Sequence, residues 1–412
     1  MRSREKSPSR TLHEWADYAE EVEQRKRRRH AGTYQWWFGR AVHVLTAGKL
    51  RTWWREAYTC ASDYGDLVAE WTGHSHVEQF GQMAILTLRH GVSPKDYYSY
   101  RLYRPERYEK ADRYLYHKPK VRLNRCLIGR TSDNVSFNMR DKRSWFKWAL
   151  KHDIPTPSPL ASFDGGEITP FQWSGESNSL PETDLFSIWT DMWTGKGAHA
   201  WIYKNGHYRD VQNSELYFTA SELIEYLASN SKGHPTMLQE RVENHPKLQG
   251  FTSGGLATSR LVTGRFPEKD PEPILATLKM PSGNAVVDQM KAGGITAPVD
   301  IDDGTLQPAV SAFPQPSGDL FHIHPDTGCQ ITGSEFPFWD DVVELALNTH
   351  QQLPSAPFVG WDITVTTEGP MIIEPNDDWG ASGTEKPSGI PLTDTAYEAM
   401  YDAWMQKFIP AD

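Results

Sequence analysis

The hydrophobic and polar positions in the first part of the chain follow a helical period. Residues 11 to about 30 form a polar pattern typical of a helix, and residues 31 to about 120 mix helical periodicity with frequent tryptophans. A further helix is predicted over residues 142–152 (KRSWFKWALKH). Asp153 closes it, and the prolines of the following IPTPSPL prevent its continuation. The pattern therefore predicts a mainly helical N-terminal region.

Beyond residue 180 the pattern changes to short strands separated by turns. Apolar runs bounded by turn residues predict strands in DLFSIWT, AHAWIY, TMLQERV, ATSRLVTG and PILATLKM, with a hairpin turn at KNGH. One helix is predicted near residues 219–229 and another in PFWDDVVELALNTHQQL. This mixture predicts an α+β fold and argues against a doubly wound sheet.

The strongest β-hairpin pattern of the chain is FVGWDITVTTEGPMIIEPN. A three-residue turn over residues 367–369 would place Asp362 opposite Glu374, with both side chains and that of Asn376 on one face. Two facing carboxylates about 5 Å apart repel each other unless a cation lies between them. Hard divalent ions such as Mg²⁺ prefer oxygen ligands. Asp362, Glu374 and Asn376 are therefore candidate magnesium ligands.

An ordinary hairpin with a solvated polar face would show the same spacing. The segment that follows the hairpin, NDDWGASGTEKPSGIP, is rich in Gly, Ser and Pro. Such a loop is typical of segments that shape substrate pockets. The flanking sequence therefore favours a binding site over a plain polar face.

Size and charge restrict the classes of protein to which the chain can belong. Its 412 residues are enough for two or three folding units, and 38% hydrophobic and 12% aromatic residues can supply their cores. A formal net charge of −10 argues against a nucleic-acid-binding protein. The basic run at residues 25–29 is interpreted as a solvated helix face, with an acidic partner or a membrane surface as the alternative.

The cysteines and the N-terminus indicate where the protein works. Cys60, Cys126 and Cys329 are far apart and fit neither a disulfide framework nor a zinc site, which suits a reducing compartment. The N-terminus lacks the apolar stretch of a secretory signal, and no window approaches the roughly 20 apolar residues of a membrane span. We therefore expect a soluble cytoplasmic protein.

Several segments together resemble one known family. GWDITVTTEGPMIIEPN is similar to the metal-binding signature of ATP-grasp enzymes, in particular the sugar-transfer-associated group, which is related to glutamate ligases. The likeness continues in QERVENHPKLQGF, LATSRLVT, SGNAVVDQMKAGGITAPVDIDDGTL and HPDTGCQITGSEFPFWDDV. It implies an ATP-grasp fold, in which two α+β lobes clasp a nucleotide, preceded by a helical domain. The corresponding domains are a helical region (1–125), an N-terminal lobe (126–238) and a C-terminal lobe with the metal site (239–412).

The resemblance also implies contacts to the base and ribose of ATP. The strand that joins the lobes lies against adenine in this family, which would place Gln239, Glu240 and Val242 at the base. Asn244 and His245 would lie close to the ribose. On the sequence alone, a histidine beside a proline, as at His245, is more often a surface turn residue.

The phosphate contacts implied by the resemblance are less complete. RDKRSW resembles the segment that carries the first phosphate-contacting lysine, here Lys142. TDMWTGKGAHA resembles the glycine-containing loop that folds over the phosphates, where Lys196 could add charge. The sequence departs from the family in DLFSIWT, since Ile188 stands where relatives have a second phosphate lysine. This departure puts ordinary ATP affinity or turnover in doubt.

Arg260 and Lys279 complete the predicted site. A lone arginine in a strand often forms an edge salt bridge, whereas the resemblance assigns Arg260 to transition-state stabilisation. A planar guanidinium suits a phosphate or a developing oxyanion. Lys279 would reach the γ-phosphate.

The resemblance implies an ATP-dependent carboxylate-amine ligase that forms an amide bond through an acyl phosphate and uses ATP and Mg²⁺. Its carboxylate and amine substrates would be small molecules or parts of peptides or sugars. The alternatives are an ATP-grasp phosphotransferase and a nucleotide-binding protein that has lost turnover. Ile188 favours the last alternative, and the intact Asp362, Glu374 and Asn376 oppose it. The N-terminal region could serve a partner, a homodimer interface or the acceptor pocket.

Overall fold

The computed structural model describes residues 10–30, 48–131, 137–172, 180–190, 197–283 and 293–408. Within these ranges, the side chains of residues 22–30, 48–49, 117–118 and 129–131 are not described. Lys196, Trp36 and Trp37 lie outside the described residues.

Helices dominate the described part of the chain before residue 152, as the sequence predicts. The described α-helices are α1 (Leu12–His30), α2 (Gly48–Thr72), α3 (His76–His90), α4 (Pro94–Ser99), α5 (Pro105–Tyr108), α6 (His117–Thr131), α7 (Lys142–Lys151), α8 (Ala220–Asn230), α9 (Trp339–Gln351), α10 (Glu385–Ser388) and α11 (Ala396–Phe408). Short 3₁₀ turns occur at Gln249–Phe251, Ala381–Gly383 and Leu392–Asp394.

The described strands form two antiparallel sheets. They are β1 (Pro159–Asp164), β2 (Glu167–Pro170), β3 (Leu185–Trp189), β4 (His199–Lys204), β5 (His207–Asp210), β6 (Tyr217–Phe218), β7 (Thr236–Glu240), β8 (Thr258–Gly264), β9 (Glu272–Met280), β10 (Ile295–Val299), β11 (Phe358–Thr366) and β12 (Gly369–Asn376). The first sheet has the order β2-β1-β7-β3-β4-β5-β6 and the second β10-β9-β8-β11-β12. Antiparallel sheets preceded by a helical region confirm the predicted α+β class.

Local side-chain chemistry fixes where several helices begin. Ser75 and Glu78 form a capping box at the start of α3, and Thr219 and Glu222 form another at the start of α8. Each pair satisfies backbone N–H groups that the first helical turn leaves without partners. The Asp141 side chain accepts a hydrogen bond from the Arg143 backbone N–H and starts α7.

Helices cover both faces of the second sheet. One face carries Leu261 and Trp361 and packs against α7 and α9. The other carries Val262 and Phe358 and packs against α1, α6 and α11. Burial on both sides explains why β8 and β11 have apolar residues at successive positions.

Buried polar contacts attach the helical region to the rest of the molecule. Asp319 accepts hydrogen bonds from Arg101 Nε at 2.7 Å, the Tyr103 hydroxyl at 2.7 Å and Arg104 Nε at 2.7 Å. Asp319 is only 6% exposed, so its charge depends on these partners. Helix α6 continues past residue 125, the predicted end of the helical region, and the division into domains stays a prediction.

The predicted hairpin forms from β11 and β12, but its turn is shorter than expected. Thr366 pairs with Gly369, so the turn has two residues and not the predicted three. A one-residue bulge between Asp362 and Ile363 shifts the register back. Asp362 consequently pairs with Glu374. The predicted pairing of the carboxylates is confirmed because these two differences cancel.

Candidate active site

Three neighbouring strands place charged side chains in a row on one face of the second sheet. Asp362 pairs with Glu374 on one side and with Arg260 on the other. Directly paired residues of adjacent strands project to the same face. Lys279, on the next strand, pairs with Thr258 and brings its ammonium group to Asp362. The sheet thereby gathers residues that lie more than 100 positions apart in sequence.

The two facing carboxylates are bound by three side-chain cations. Arg260 donates from Nε to Asp362 Oδ1 at 2.6 Å and from Nη2 to Oδ2 at 2.9 Å. Lys279 Nζ lies 3.1 Å from Asp362 Oδ2, and Lys142 at the start of α7 donates to Glu374 Oε2. Side chains therefore supply positive charge next to both carboxylates, and the metal expected there stays a prediction.

Electrostatics keep both carboxyl groups ionised. Burial acts to raise the pKa of Asp362, but the charges of Arg260 and Lys279 hold that pKa well below its usual value. Burial and the charge of Asp362 act to raise the pKa of Glu374, and the Lys142 ammonium lowers it. Both groups can consequently present anionic oxygens at neutral pH.

The donor set on this face fits a hard divalent cation. Asp362 and Glu374 supply carboxylate oxygens, and the Asn376 amide lies 3.4 Å from Glu374 Oε1 on the same side of β12. Mg²⁺ typically takes one or two carboxylates together with waters and substrate phosphates. No cluster of three or more His, Cys, Asp or Glu side chains suited to a metal occurs among the described residues. Among these residues, a metal site would therefore depend on this smaller oxygen set.

The residues expected at the adenine base divide between two sides of the first sheet. Gln239 pairs with Phe186 and shares its face with Ile188 and Met237. Glu240, the next residue, points to the opposite face. Gln239, and not Glu240, therefore points with Ile188 towards the hydrophobic core that the two sheets share.

The linker between the two sheets holds the two other predicted nucleotide contacts. Val242 and Asn244 follow β7 without regular secondary structure. The Asn244 amide donates to the Gly255 carbonyl at 2.8 Å and accepts from the Ala257 N–H at 2.9 Å. The Asn244 side chain thus ties the linker to the segment before β8. His245 is anchored there too, since its N–H donates to the Val365 carbonyl at 2.8 Å.

Ile188 occupies an apolar environment at the edge of the shared core. It pairs with Met237 and packs, partly buried, against the core that includes Trp145 and Met237. This packing explains how an apolar side chain is accommodated at the position where the resemblance places a second phosphate lysine.

Sequence reasoning missed an acidic and basic cluster directly beside the site. Arg140 donates from Nε to Asp377 Oδ1 at 3.1 Å and lies 3.8 Å from Asp378. Arg140 lies shortly before Lys142, and Asp377 follows Asn376. The RDK and NDDW segments of the sequence therefore already showed charged residues beside predicted site residues. A cavity of about 470 Å³ opens next to this cluster. It is lined by Asn124, Leu127, Phe137, Arg140, Phe358 and Asp377, among others.

Comparisons with known proteins found one matching family and several similar solved structures. A family model for sugar-transfer associated ATP-grasp proteins matches residues 134–398. Among solved structures, D-alanine–D-alanine ligase from Bacillus anthracis matches with 13% identity over 65% of this chain and 66% of that chain (TM-score 0.34). The ATP-grasp ligase PsnB, complexed with minimal precursor, Mg and ADP, matches with 12% identity over 68% of this chain and 60% of that chain (TM-score 0.32).

D-alanyl-alanine synthetase A from Vibrio cholerae matches with 11% identity over 70% of this chain and 68% of that chain (TM-score 0.33). The matched region spans about two thirds or less of the B. anthracis and PsnB chains. No curated protein matches the sequence. Because the family model covers well over half of the chain, the protein belongs to the sugar-transfer associated ATP-grasp family.

Proposed function

We propose that the protein is an ATP-dependent ligase that joins a carboxylate to an amine through an acyl phosphate. The observation that carries the proposal is the row of Arg260, Asp362 and Glu374 on three adjacent strands, with Lys279 and Lys142 in contact with the carboxylates. Family membership supports the same reaction class. Such a row offers both oxygen ligands for a metal and cations for phosphate.

In this proposal Asp362, Glu374 and Asn376 hold Mg²⁺. The ion, when bound, supplies positive charge that polarises phosphate oxygens. Arg260 and Lys279 now direct their charge to Asp362 at 2.6–3.1 Å. When a triphosphate enters, they can turn part of their hydrogen bonding from Asp362 to its oxygens. Lys142 can likewise turn part of its hydrogen bonding from Glu374 to the triphosphate oxygens.

The bond changes need no protein nucleophile. An oxygen of the substrate carboxylate attacks the γ-phosphorus, and ADP leaves. The amine then attacks the acyl carbon, phosphate leaves, and the amine loses a proton to solvent. The protein contributes by positioning the reactants and by stabilising negative charge. Arg260 is assigned to the oxyanion, because its guanidinium is planar and already oriented by Asp362, and Lys279 to the γ-phosphate.

The nucleotide is proposed to lie between the two sheets. Gln239, Glu240 and Val242 would contact the base, Asn244 would support the linker beside the ribose, and Lys196 would add charge near the phosphates. Gln239 is the favoured base contact, because it shares the face of Ile188 and Met237. The acceptor is proposed to enter through the cavity beside Arg140. The carboxylate and amine substrates of the protein would be small molecules or parts of peptides or sugars.

A nucleotide-binding protein without turnover is the second candidate, favoured by the apolar packing of Ile188. A phosphotransferase has no comparable support.

We propose the cytoplasm as the location, since Cys60, Cys126 and Cys329 are all free thiols. No described helix has the length and apolarity to cross a bilayer. We also propose a homodimer in which the helical regions of two chains contact each other.

Calorimetric binding of a non-hydrolysable ATP analogue tests the site. Mg²⁺-dependent binding is expected for the natural chain and is expected to weaken at least about tenfold in Glu374→Gln. Glu368→Gln, an exposed residue of the hairpin turn, is the matched control and should bind normally. Equal binding by the natural chain and Glu374→Gln would refute the assignment of the metal ligands.

Phosphate release then separates the candidate reactions. The chain is incubated with ATP and a panel of ¹⁸O-labelled carboxylates and amines. Amine-dependent release of phosphate that carries one ¹⁸O would establish the acyl phosphate, because that oxygen comes from the carboxylate. A phosphorylated acceptor without free phosphate would indicate a phosphotransferase. Binding without ADP formation across the panel would support the candidate that lacks turnover.

A further inference from the structure

A strongly basic and aromatic segment contrasts with the acidic chain around it. The whole protein has a formal net charge of −10, yet residues 24–55 contain nine Lys and Arg residues and no Asp or Glu. The same residues include Trp36, Trp37, Trp53 and Trp54. Clustered cations among tryptophans are typical of segments that lie at an anionic lipid surface. The structure describes residues 24–30 of this segment at the end of α1 and residues 48–55 in the first two turns of α2.

The start of α2 exposes large apolar side chains on one stripe. Leu50, Trp54 and Tyr58 follow one another at intervals of four residues and are 58%, 53% and 71% exposed. The Trp54 ring stacks on Phe80 of α3, with ring centroids 5.6 Å apart. The stripe is therefore held in place by the neighbouring helix and presented to solvent.

Helix α3 adds apolar side chains at the same end of the helical hairpin. Its buried side faces the core of the helical region, whereas Ile85 and Leu88 are 43% and 86% exposed. Trp53 Nε1 donates to Thr87 Oγ1 at 2.8 Å, which holds the start of α2 beside the end of α3. Leu88 thus lies at the end of the hairpin that carries Trp54.

Cations frame this apolar end. Arg51, Arg55 and Arg89 are exposed there. Glu56 follows Arg55 in α2, whereas the other acidic residues of the hairpin, such as Asp66 and Glu78, lie further along α2 or at the start of α3. A second copy of the same basic end would be repelled across a symmetric contact. A nucleic acid would use the arginines but has no use for exposed leucine and isoleucine.

We propose that the open end of the α2–α3 hairpin docks on an anionic membrane surface. Leu50, Trp54 and Leu88 would enter the boundary between headgroups and acyl chains, and the arginines would contact lipid phosphates. The hairpin would lie on the membrane without crossing it. This inference is independent of the proposed ligase reaction, because it uses no residue of the row on the second sheet.

Vesicle sedimentation with the full chain tests the proposal. Vesicles of equal parts phosphatidylcholine and phosphatidylglycerol are compared with vesicles of phosphatidylcholine alone. We expect binding to the anionic vesicles, weakened by added salt, and little binding to the neutral ones. Trp54→Ser with Leu88→Ser, and separately Arg51→Glu with Arg55→Glu, should each reduce the partition coefficient at least about tenfold.

Matched control variants keep the test specific. Val211→Ser with Ile323→Ser removes apolar side chains that are 53% and 52% exposed on other parts of the surface, and should bind as the natural chain does. Circular dichroism checks that each variant is folded. Absence of binding by the folded natural chain would overturn the proposal. So would a dimer, seen by light scattering, that the Trp54→Ser and Leu88→Ser changes dissociate, or binding of a DNA oligonucleotide in place of vesicles.

Discussion

Glu385 provides a test of the contact between the helical region and the loop that follows the carboxylate hairpin. It begins α10 and is fully buried. Its Oε1 accepts hydrogen bonds from the Leu115 N–H at 3.1 Å and the Leu392 N–H at 2.9 Å, and Oε2 accepts one from the Tyr100 hydroxyl at 3.3 Å. Burial raises the pKa of Glu385 to about 7, although the backbone N–H groups act to lower it.

The sign of the pH dependence follows from the two ionisation constants. The unfolded chain ionises this carboxyl near its ordinary pKa of 4.5, and the folded chain near pH 7. Between these values the folded state binds more protons, so stability is lost as the pH rises from 4.5 towards 7. With about 1.4 kcal/mol for each pKa unit, the loss between pH 5 and pH 8 is about 2.5 kcal/mol.

Glu385→Gln should remove this loss. The amide keeps an oxygen for both backbone N–H groups, and its nitrogen can donate to the Tyr100 oxygen. We expect the stability of the natural chain, relative to the variant, to fall by about 2.5 kcal/mol from pH 5 to pH 8. Urea unfolding at several pH values measures this difference in unfolding free energy, and exposed Glu368→Gln serves as the control. A constant difference between natural chain and Glu385→Gln would refute the reasoning.

Three further predictions concern other buried or substituted positions. Burial lowers the pKa of Lys120 to about 7 from 10.5, so the unfolded state binds more protons between these values. Stability should therefore rise from pH 7 to pH 10.5, and Lys120→Met should abolish the rise in urea unfolding, whereas an unchanged slope would contradict it. Ile188→Lys should tighten calorimetric binding of an ATP analogue about tenfold, and Ile188→Met should not; weaker binding by the lysine variant would exclude a phosphate contact at this position. Asp319→Asn leaves Arg101 and Arg104 without their carboxylate and should cost about 3–5 kcal/mol of unfolding free energy. Exposed Asp302→Asn is its control, and equal losses in the two would disprove the buried ion pair.

Local patterning determined much of the architecture from the sequence. Helical periodicity located α1 and α7, and short apolar runs located β7, β8 and β9 within one or two residues at most ends. Helices α1 and α7 bury one regular face, whereas β7, β8 and β9 are buried at successive positions, and both patterns are visible directly in the sequence. The pairing of Asp362 with Glu374 was also predicted, but it agrees because the shorter turn and the bulge cancel. The turn itself differed by one residue, since a bulge leaves no clear trace in the pattern.

Only the tertiary structure decided how the charges of the site are balanced. Lys142, Arg260 and Lys279 come from a helix and two different strands, and no local rule predicts that all three meet the two carboxylates. The sequence argument named magnesium as the cation between them, because it could not show which side chains distant in sequence come close.

Burial of ionisable groups was also beyond the sequence. Glu385 lies in a polar, glycine-rich segment that local patterning assigns to a loop, yet Leu115, Leu392 and Tyr100 enclose it completely. Its shifted pKa arises from packing between segments separated by about 270 residues. Periodicity therefore determined the elements and the register of this protein. The charge balance and the ionisation of its buried groups depend on long-range packing, which periodicity does not record.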